Sequence, residues 1–236
     1  MHSTLALALA TVLSLPLLAE PEPEKASLPS SDPSELKADG FTPLFNGKDL
    51  EGWSKVGGTG EFKAEDNCVV GFGQNIRGNT FLRTDKTYGD FILVFEFQFI
   101  DPSGNSGCQF RSAQQNGDGR VFGYQCEHDS NKDRSFTAGI YDEARRGWLY
   151  PGIASKNDLE ETFTAQGQRL FKWDDWNRIV IHCKDHHIQT WLNGELRADF
   201  EDLDEKQFTP EGFIALQVHG GKSAHVRWKN IFLKPL

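Results

Sequence analysis

Three short stretches of the chain each set two polar side chains two positions apart: Gln109 and Arg111 in GCQFRS, Gln125 and Glu127 in GYQCEHD, Gln217 and His219 in ALQVHG. Side chains of an extended strand alternate between its faces. Each polar pair therefore shares one face, while Cys108 and Phe110, Tyr124, Cys126 and His128, and Leu216 and Val218 take the other. If the three strands lie in one sheet, the pairs form a lattice of amide, guanidinium, carboxylate and imidazole groups. A hexose needs such a lattice, because its hydroxyls both donate and accept, and it needs aromatic rings against its C–H faces. Trp148, Tyr150, Trp173 and Trp176 lie in or beside the least regular part of the chain and could supply the rings. The alternative is plainer: one face of a half-buried antiparallel sheet is solvated, and Trp173 and Trp176 pack in a core or at an edge.

Other chemical signals are weaker. TAGIYDEARRG carries Tyr141, Asp142, Glu143, Arg145 and Arg146 at a strand end, where charge serves either a site or solvent. Asp129, Asn131 and Asp133 open like a calcium loop, but Arg134 stands where glycine is needed and Ile140 where the closing glutamate is needed. An EF-hand is thereby excluded, which leaves room only for a looser calcium site. His186 and His187, beside Lys184 and Asp185, read as an exposed turn. The chain has no GxSxG elbow and no HExxH helix, and GGTG at 57–60 lacks the strand–turn–helix context of a phosphate loop.

The elements that must position these groups are strands. FILVFEFQF puts Phe91, Leu93, Phe95, Phe97 and Phe99 on one face and Ile92, Val94, Glu96 and Gln98 on the other. FKAEDNCVVGF, VFGYQCEHD, TAGIYDE, WNRIVIHCKD, HIQTWLN, GELRADF, GFIALQVHG and HVRWKNIFLKP follow, separated by Gly, Asn, Asp and Pro clusters. Asn193–Gly194 marks a two-residue hairpin, since both residues tolerate positive φ. With 18 phenylalanines and almost no helical patterning, the chain is expected to be all-β, an antiparallel two-sheet jelly-roll sandwich. Residues 143–172 are expected to form a surface loop across one rim.

The 236 residues are expected to divide into a signal peptide over 1–19, a flexible Pro-, Ser- and charge-rich linker over 20–40 and one domain over 41–236. Export to the periplasm or the extracellular space is the expectation, with no further hydrophobic span. The net charge of −9, without a Lys/Arg run, argues against nucleic acid and anionic membranes as partners. Cys68, Cys108, Cys126 and Cys183 lack a CxxC spacing. After export they could form one or two disulfides, Cys108 and Cys126 falling in neighbouring strands, or they are small buried residues.

Nine stretches in order carry a family resemblance: FTPLFNGKDLEGW, TYGDFILVFEFQ, NSGCQFR, GYQCEHD, GIYDEARRG, WNRIVI, WLNGE, LQVHGG and VRWKNIFLKPL. Over nearly all of the chain after the linker, the sequence resembles the family named for 3-keto-disaccharide hydrolase. The resemblance implies a concanavalin A-like jelly roll with its sugar site on the concave sheet, and exported proteins that cleave glycosides already oxidised to a ketone at C3. Such a reaction removes the C2 proton, passes through an enediolate and expels the C1 substituent, with water addition giving net hydrolysis. By position in the matching motifs, Glu127 or His219 is the base and Arg111 the enediolate stabiliser. Gln125, Gln217, Tyr141, Asp142 and Glu143 are sugar or metal contacts, joined by Gln109 from the lattice and Trp148 from the loop. A divalent cation, calcium or another, could serve at the C3 oxygen instead of a side chain. The family pattern often carries an acid directly after the Tyr of GYQCEHD, where this chain has Gln125; its acid comes two residues later, on the same face. The alternatives are a non-catalytic, lectin-like carbohydrate-binding domain on the same fold and a surface interaction domain without a sugar site.

Overall fold

Strand alternation buries the phenylalanines of FILVFEFQF. In the computed structural model, which describes residues 28–102, 104–117, 119–152 and 158–236, this segment is β6 (Phe91–Asp101), and all five of its inward residues are buried. β6 is central to a back sheet. Its neighbours are β11 (Asn177–Lys184) and β15 (Gly221–Pro235); β12 (His187–Leu192) and β13 (Glu195–Glu201) extend one side, β4 (Cys68–Ile76) and β3 (Glu61–Glu65) the other, and the short β1 (Thr42–Pro43) pairs with β15. The front sheet runs β10 (Gly147–Tyr150), β9 (Ile140–Glu143), β8 (Val121–His128), β7 (Ser106–Gln114), β14 (Phe213–Val218), β5 (Thr80–Thr84) and β2 (Trp53–Gly57), with every pairing antiparallel. The expected all-β sandwich is the observed fold. Asn193 and Gly194, at φ 51° and 94°, make the two-residue turn between β12 and β13.

Between the sheets, Phe95, Phe97, Ile179 and Trp228 of the back sheet meet Phe110, Tyr124 and Leu216 of the front sheet in one core. His128 belongs to that core, stacked on Phe97 with ring centroids 3.9 Å apart. Neither of its nitrogens has a partner, and burial pulls its pKa down to about 3, so it packs as a neutral aromatic ring. The four cysteines are free and buried; Cys108 and Cys126 face each other across the β7–β8 pair.

Two expectations about irregular segments change. Residues 28–40, within the stretch assigned to a linker, include the helix α1 (Pro33–Ala38), capped by Asp32. Its Leu36 is buried with Phe41, Val94, Val180 and Phe232 on the outer face of the back sheet, so ordered structure begins before residue 41. One buried side chain in six was too faint a pattern to read. The span 143–172 is also not one loop: it holds the end of β9, all of β10, and the helix α2 (Asp158–Leu170). α2 lacks a clear apolar stripe because it docks chiefly through Phe163 and Gly167. A Cβ on Gly167 would lie 2.1 Å from the Ser135 carbonyl oxygen, so only glycine lets the helix approach that loop. The expected signal peptide lies outside the described residues. No helix among the described residues is long and apolar enough to cross a membrane.

Leu36→Ala should cost about 2–5 kcal/mol, the range for deleting a buried leucine. Urea unfolding would measure it; a loss below about 0.5 kcal/mol would mean that α1 adds nothing to the fold.

Candidate active site

The alternation expected of GYQCEHD holds: Tyr124 and Cys126 enter the core with His128, while Gln125 and Glu127 point to the outer face of the front sheet. That face is not simply solvated. Gln125 and Glu127 are each only 3% exposed and line a polar cavity of about 310 Å³, together with Asn79, Asn105, Arg120, Arg134, Tyr141, Glu143, Trp148, Gln217 and His219.

Register explains the convergence. Gln109 on β7 lies opposite Gln125 on β8, which lies opposite Tyr141 on β9; β14 flanks β7 on the other side. Gln125 Oε1 accepts from Gln109 Nε2 at 2.8 Å and from Gln217 Nε2 at 2.9 Å, and Gln125 Nε2 donates to Glu127 Oε2 at 2.6 Å. Ser112 donates to Gln109 Oε1. Asn105 Nδ2 donates to the other carboxylate oxygen of Glu127 at 2.8 Å. Gly107, paired with Glu127 across the strands, makes room for this lattice, because a Cβ there would lie 2.5 Å from Gln125 Cδ. Gln109 is thus a supporting residue beneath the cavity rather than one that lines it. Gln217 Oε1 is buried without a partner, an open acceptor in a residue that lines the cavity.

Burial pushes the Glu127 carboxyl up to about 7, and the charge of Asp129 adds to the rise. Hydrogen bonds from Asn105 and Gln125 and the charge of Arg134 oppose it. Arg134 Nη2 stands 3.6 Å from Glu127 Oε1, and its guanidinium lies 5.2 Å from the Trp148 ring centroid. Tyr141 meets Trp148 edge-on at 5.2 Å, and its phenol pKa is raised by burial and then by Glu143 and Glu127, which keeps it a donor. Glu143 Oε1 receives long contacts of 3.4 Å from Asn79 and Arg120. His219 is exposed, with Nδ1 2.7 Å from Gly220 O; in the tautomer where Nδ1 donates, Nε2 remains free to accept.

Two predicted residues fall elsewhere. Arg111 sits at φ 44° in a bulge of β7, where the register against β8 shifts between Phe110 and Ala113. The bulge breaks the alternation that would have set Arg111 beside Gln109. Its fully buried guanidinium instead donates to Gly89 O at 2.8 Å and Asp185 O at 2.7 Å, and pairs with Asp90 at 2.6 Å, tying the front sheet to the β11–β12 turn. Asp142 points away from the cavity and pairs with Arg145 at 2.7 Å and Arg146 at 2.5 Å; Arg146 continues to Asp202, which also accepts from the Tyr124 hydroxyl. Of the four aromatic candidates, only Trp148 lines the cavity: Tyr150 packs on Phe163, Trp173 on Phe171, and Trp176 lies beneath Arg227 and Lys229.

The chain belongs to the family of the 3-keto-alpha-glucoside-1,2-lyase-like domain. That family's model matches residues 40–234. No curated protein matches the chain by sequence. Among solved structures, a candidate glycosyl hydrolase from Parabacteroides distasonis is 23% identical with a TM-score of 0.58, over 86% of this chain and 96% of that one. A second from the same organism is 18% identical with a TM-score of 0.54, over 83% and 99%. A β-1,3-1,4-glucanase from a mouse hindgut metagenome is 11% identical with a TM-score of 0.52, over 83% and 98%. These likenesses establish the jelly-roll fold, and the family match supports a carbohydrate-active function.

Asn79, Asn105, Arg120 and Arg134 were not read from the sequence as site residues. Asn105 opens the stretch NSGCQFR, which the resemblance already contained. Arg134 lies in the loop compared with a calcium site, and it takes the place of a cation there. Asp129 accepts from Arg134 Nε at 2.8 Å and Nη2 at 2.9 Å, and also from the backbone of Asn131 and Phe136. With its oxygens so engaged, Asp129 does not fit a calcium ligand. Among the described residues no group of three or more His, Cys, Asp or Glu side chains is gathered for a metal ion.

Because the folded state holds the Glu127 proton more tightly than the unfolded chain, its stabilisation is complete below the ordinary carboxylate range and is lost as pH rises through about 7. Between pH 5 and pH 8 the melting temperature of Glu127→Gln should therefore rise relative to wild type by several degrees, at roughly 2–4 °C per kcal/mol. An identical pH response in the two proteins would show that Glu127 ionises in the fold without cost.

Proposed function

We propose that the protein cleaves glycosides already oxidised to a ketone at C3, removing the C2 proton and expelling the C1 substituent. The observation that carries this reading is a buried carboxyl with a pKa near 7 on the wall of a polar, sugar-sized cavity, with a guanidinium beside it. A C3 ketone acidifies the neighbouring C2 proton. Glu127 is a stronger base than an ordinary carboxylate, yet a large fraction of it is ionised at neutral pH, the balance that proton abstraction needs.

In the first step the C2–H electron pair moves into the C3 carbonyl and the proton passes to Glu127. The resulting enediolate oxygen carries negative charge, and Arg134 takes the stabilising role expected of Arg111. In the second step the C3 carbonyl re-forms, C1 and C2 become doubly bonded, and the C1–O bond breaks. The departing oxygen takes up a proton, for which His219 at the exposed side of the cavity is the route to solvent. Water adding at C1 afterwards gives net hydrolysis; without it the product is unsaturated. Gln125 and Gln217 orient the ring hydroxyls, the open Oε1 of Gln217 accepting from one of them, and Trp148 packs against a C–H face.

The deciding experiment presents 3-keto and ordinary glycosides, with and without divalent cations and chelator, and follows release of the aglycone. Selective release from 3-keto glycosides is expected. Sugar binding without bond cleavage under every condition would leave the lectin-like reading in its place. Glu127→Gln should lower kcat by on the order of a hundredfold or more, the scale of lost acid–base catalysis, and should remove the limb of the pH–rate profile that rises through about 7. Arg134→Met should lower kcat and also move that limb to higher pH, because the guanidinium charge holds the Glu127 pKa down. A limb that stays in place in the Arg134 variant would detach Arg134 from Glu127.

A further inference from the structure

The polar cavity does not end at Glu143. A second hollow of about 470 Å³ adjoins it on the outer face of the front sheet, and Asn79, Arg120 and Glu143 line both. Beyond these three shared residues its walls change character. They are Phe81 and Val121, with the glycines Gly57, Gly78 and Gly119. Phe81 and Val121 belong to an apolar cluster that also includes Phe213 and Ala215. The polar cavity is lined by amides, carboxylates and guanidinium groups, whereas here, among the described residues, no hydrogen-bonding side chain follows the junction.

We propose that this second hollow is the subsite for the leaving group and that it takes an aromatic aglycone, so that the substrates are aryl glycosides rather than sugars linked to a second sugar. The inference rests on the reading of the polar cavity as the site of the 3-keto ring. A second sugar placed past the junction would bring several hydroxyls to a wall of glycine, valine and phenylalanine, where side chains offer them no partners. A flat aromatic ring needs none. It can lie along the glycine backbone, over the edges of Phe81 and Val121 that border the hollow, each only 2% exposed, and present its other face to Arg120, whose side chain is two-thirds exposed and carries a guanidinium suited to stacking on a ring. Arg120, shared by both hollows, thus stands where the glycosidic oxygen must cross from one to the other.

The test uses carbon-linked analogues of a 3-keto glucoside, whose C1–C bond no elimination can break, bearing methyl, phenyl or glucosyl substituents in both anomeric forms. Their affinities for the wild-type protein are measured by calorimetry. The phenyl compound should bind at least tenfold more tightly than both others, as expected for burying one aromatic ring, and Val121→Trp, which fills the hollow, should bring the phenyl-to-methyl ratio close to one. Equal binding of phenyl and methyl compounds would overturn the second subsite, and tighter binding of the glucosyl compound would overturn its aromatic preference. If no analogue binds while 3-keto glycosides are still cleaved, the subsite falls alone; if nothing binds and nothing is cleaved, the reading of the polar cavity falls with it.

Discussion

Glu127 holds a carboxyl group where water scarcely reaches it, and the rest of the site is arranged around the cost of charging that group. Both of its oxygens accept from side-chain amides, one from Asn105 and one from Gln125. Gln125 is in turn held by Gln109 and Gln217, so three adjacent strands contribute to one carboxylate. These hydrogen bonds favour the ionised form without removing the penalty of burial, and the balance leaves the group close to neutral pKa. A fully solvated carboxylate would be too weak a base for this work, and one sunk without donors would stay protonated.

The cation near this carboxylate depends on structure remote from it. Arg134 reaches the cavity because the loop after β8 turns back on itself around Asp129. That loop is braced from behind: Arg197 of β13 donates to the carbonyls of Ser135 and Thr137, and stacks 3.5 Å from the Phe163 ring centroid on α2. Gly167 brings α2 against the same loop. A helix outside both sheets thereby helps to set the position of a guanidinium on the far side of the loop. The two buried arginines away from the cavity, Arg111 and Arg197, engage every guanidinium nitrogen with backbone carbonyls and structural carboxylates or amides, which ties sheet, turn and helix together.

The jelly roll itself carries no chemistry; a glucanase shares its shape, and the same architecture suits sugar binding without cleavage. What distinguishes this chain is local: a carboxyl of near-neutral pKa, an arginine within 3.6 Å of it, and an unpaired amide oxygen in the wall of the same cavity. The core beneath is correspondingly inert. Its thiols are buried and free, and His128 is held neutral between aromatic rings.

Period-two alternation was enough to determine the sandwich, the apolar interior and the face on which Gln109, Gln125, Glu127 and Gln217 project, because backbone geometry sends alternate side chains to opposite sides whatever the rest of the chain does. Ten strand stretches could be recognised from that rule, as could the Asn193–Gly194 turn. The rule fails at Arg111, where one extra residue in β7 breaks the alternation; at Asp142 it holds, since Tyr141 and Glu143 take the cavity face and Asp142 the other, where Arg145 and Arg146 draw it into an internal ion cluster. It is silent about Asn105, Arg120 and Arg134, which lie in or beside connections whose path depends on what they pack against. Sequence alone determined which chemical groups one sheet face would present. Only the tertiary structure decided which arginine stands beside Glu127 and how far its pKa rises, since burial and distance are properties of the packed whole and not of any stretch of residues.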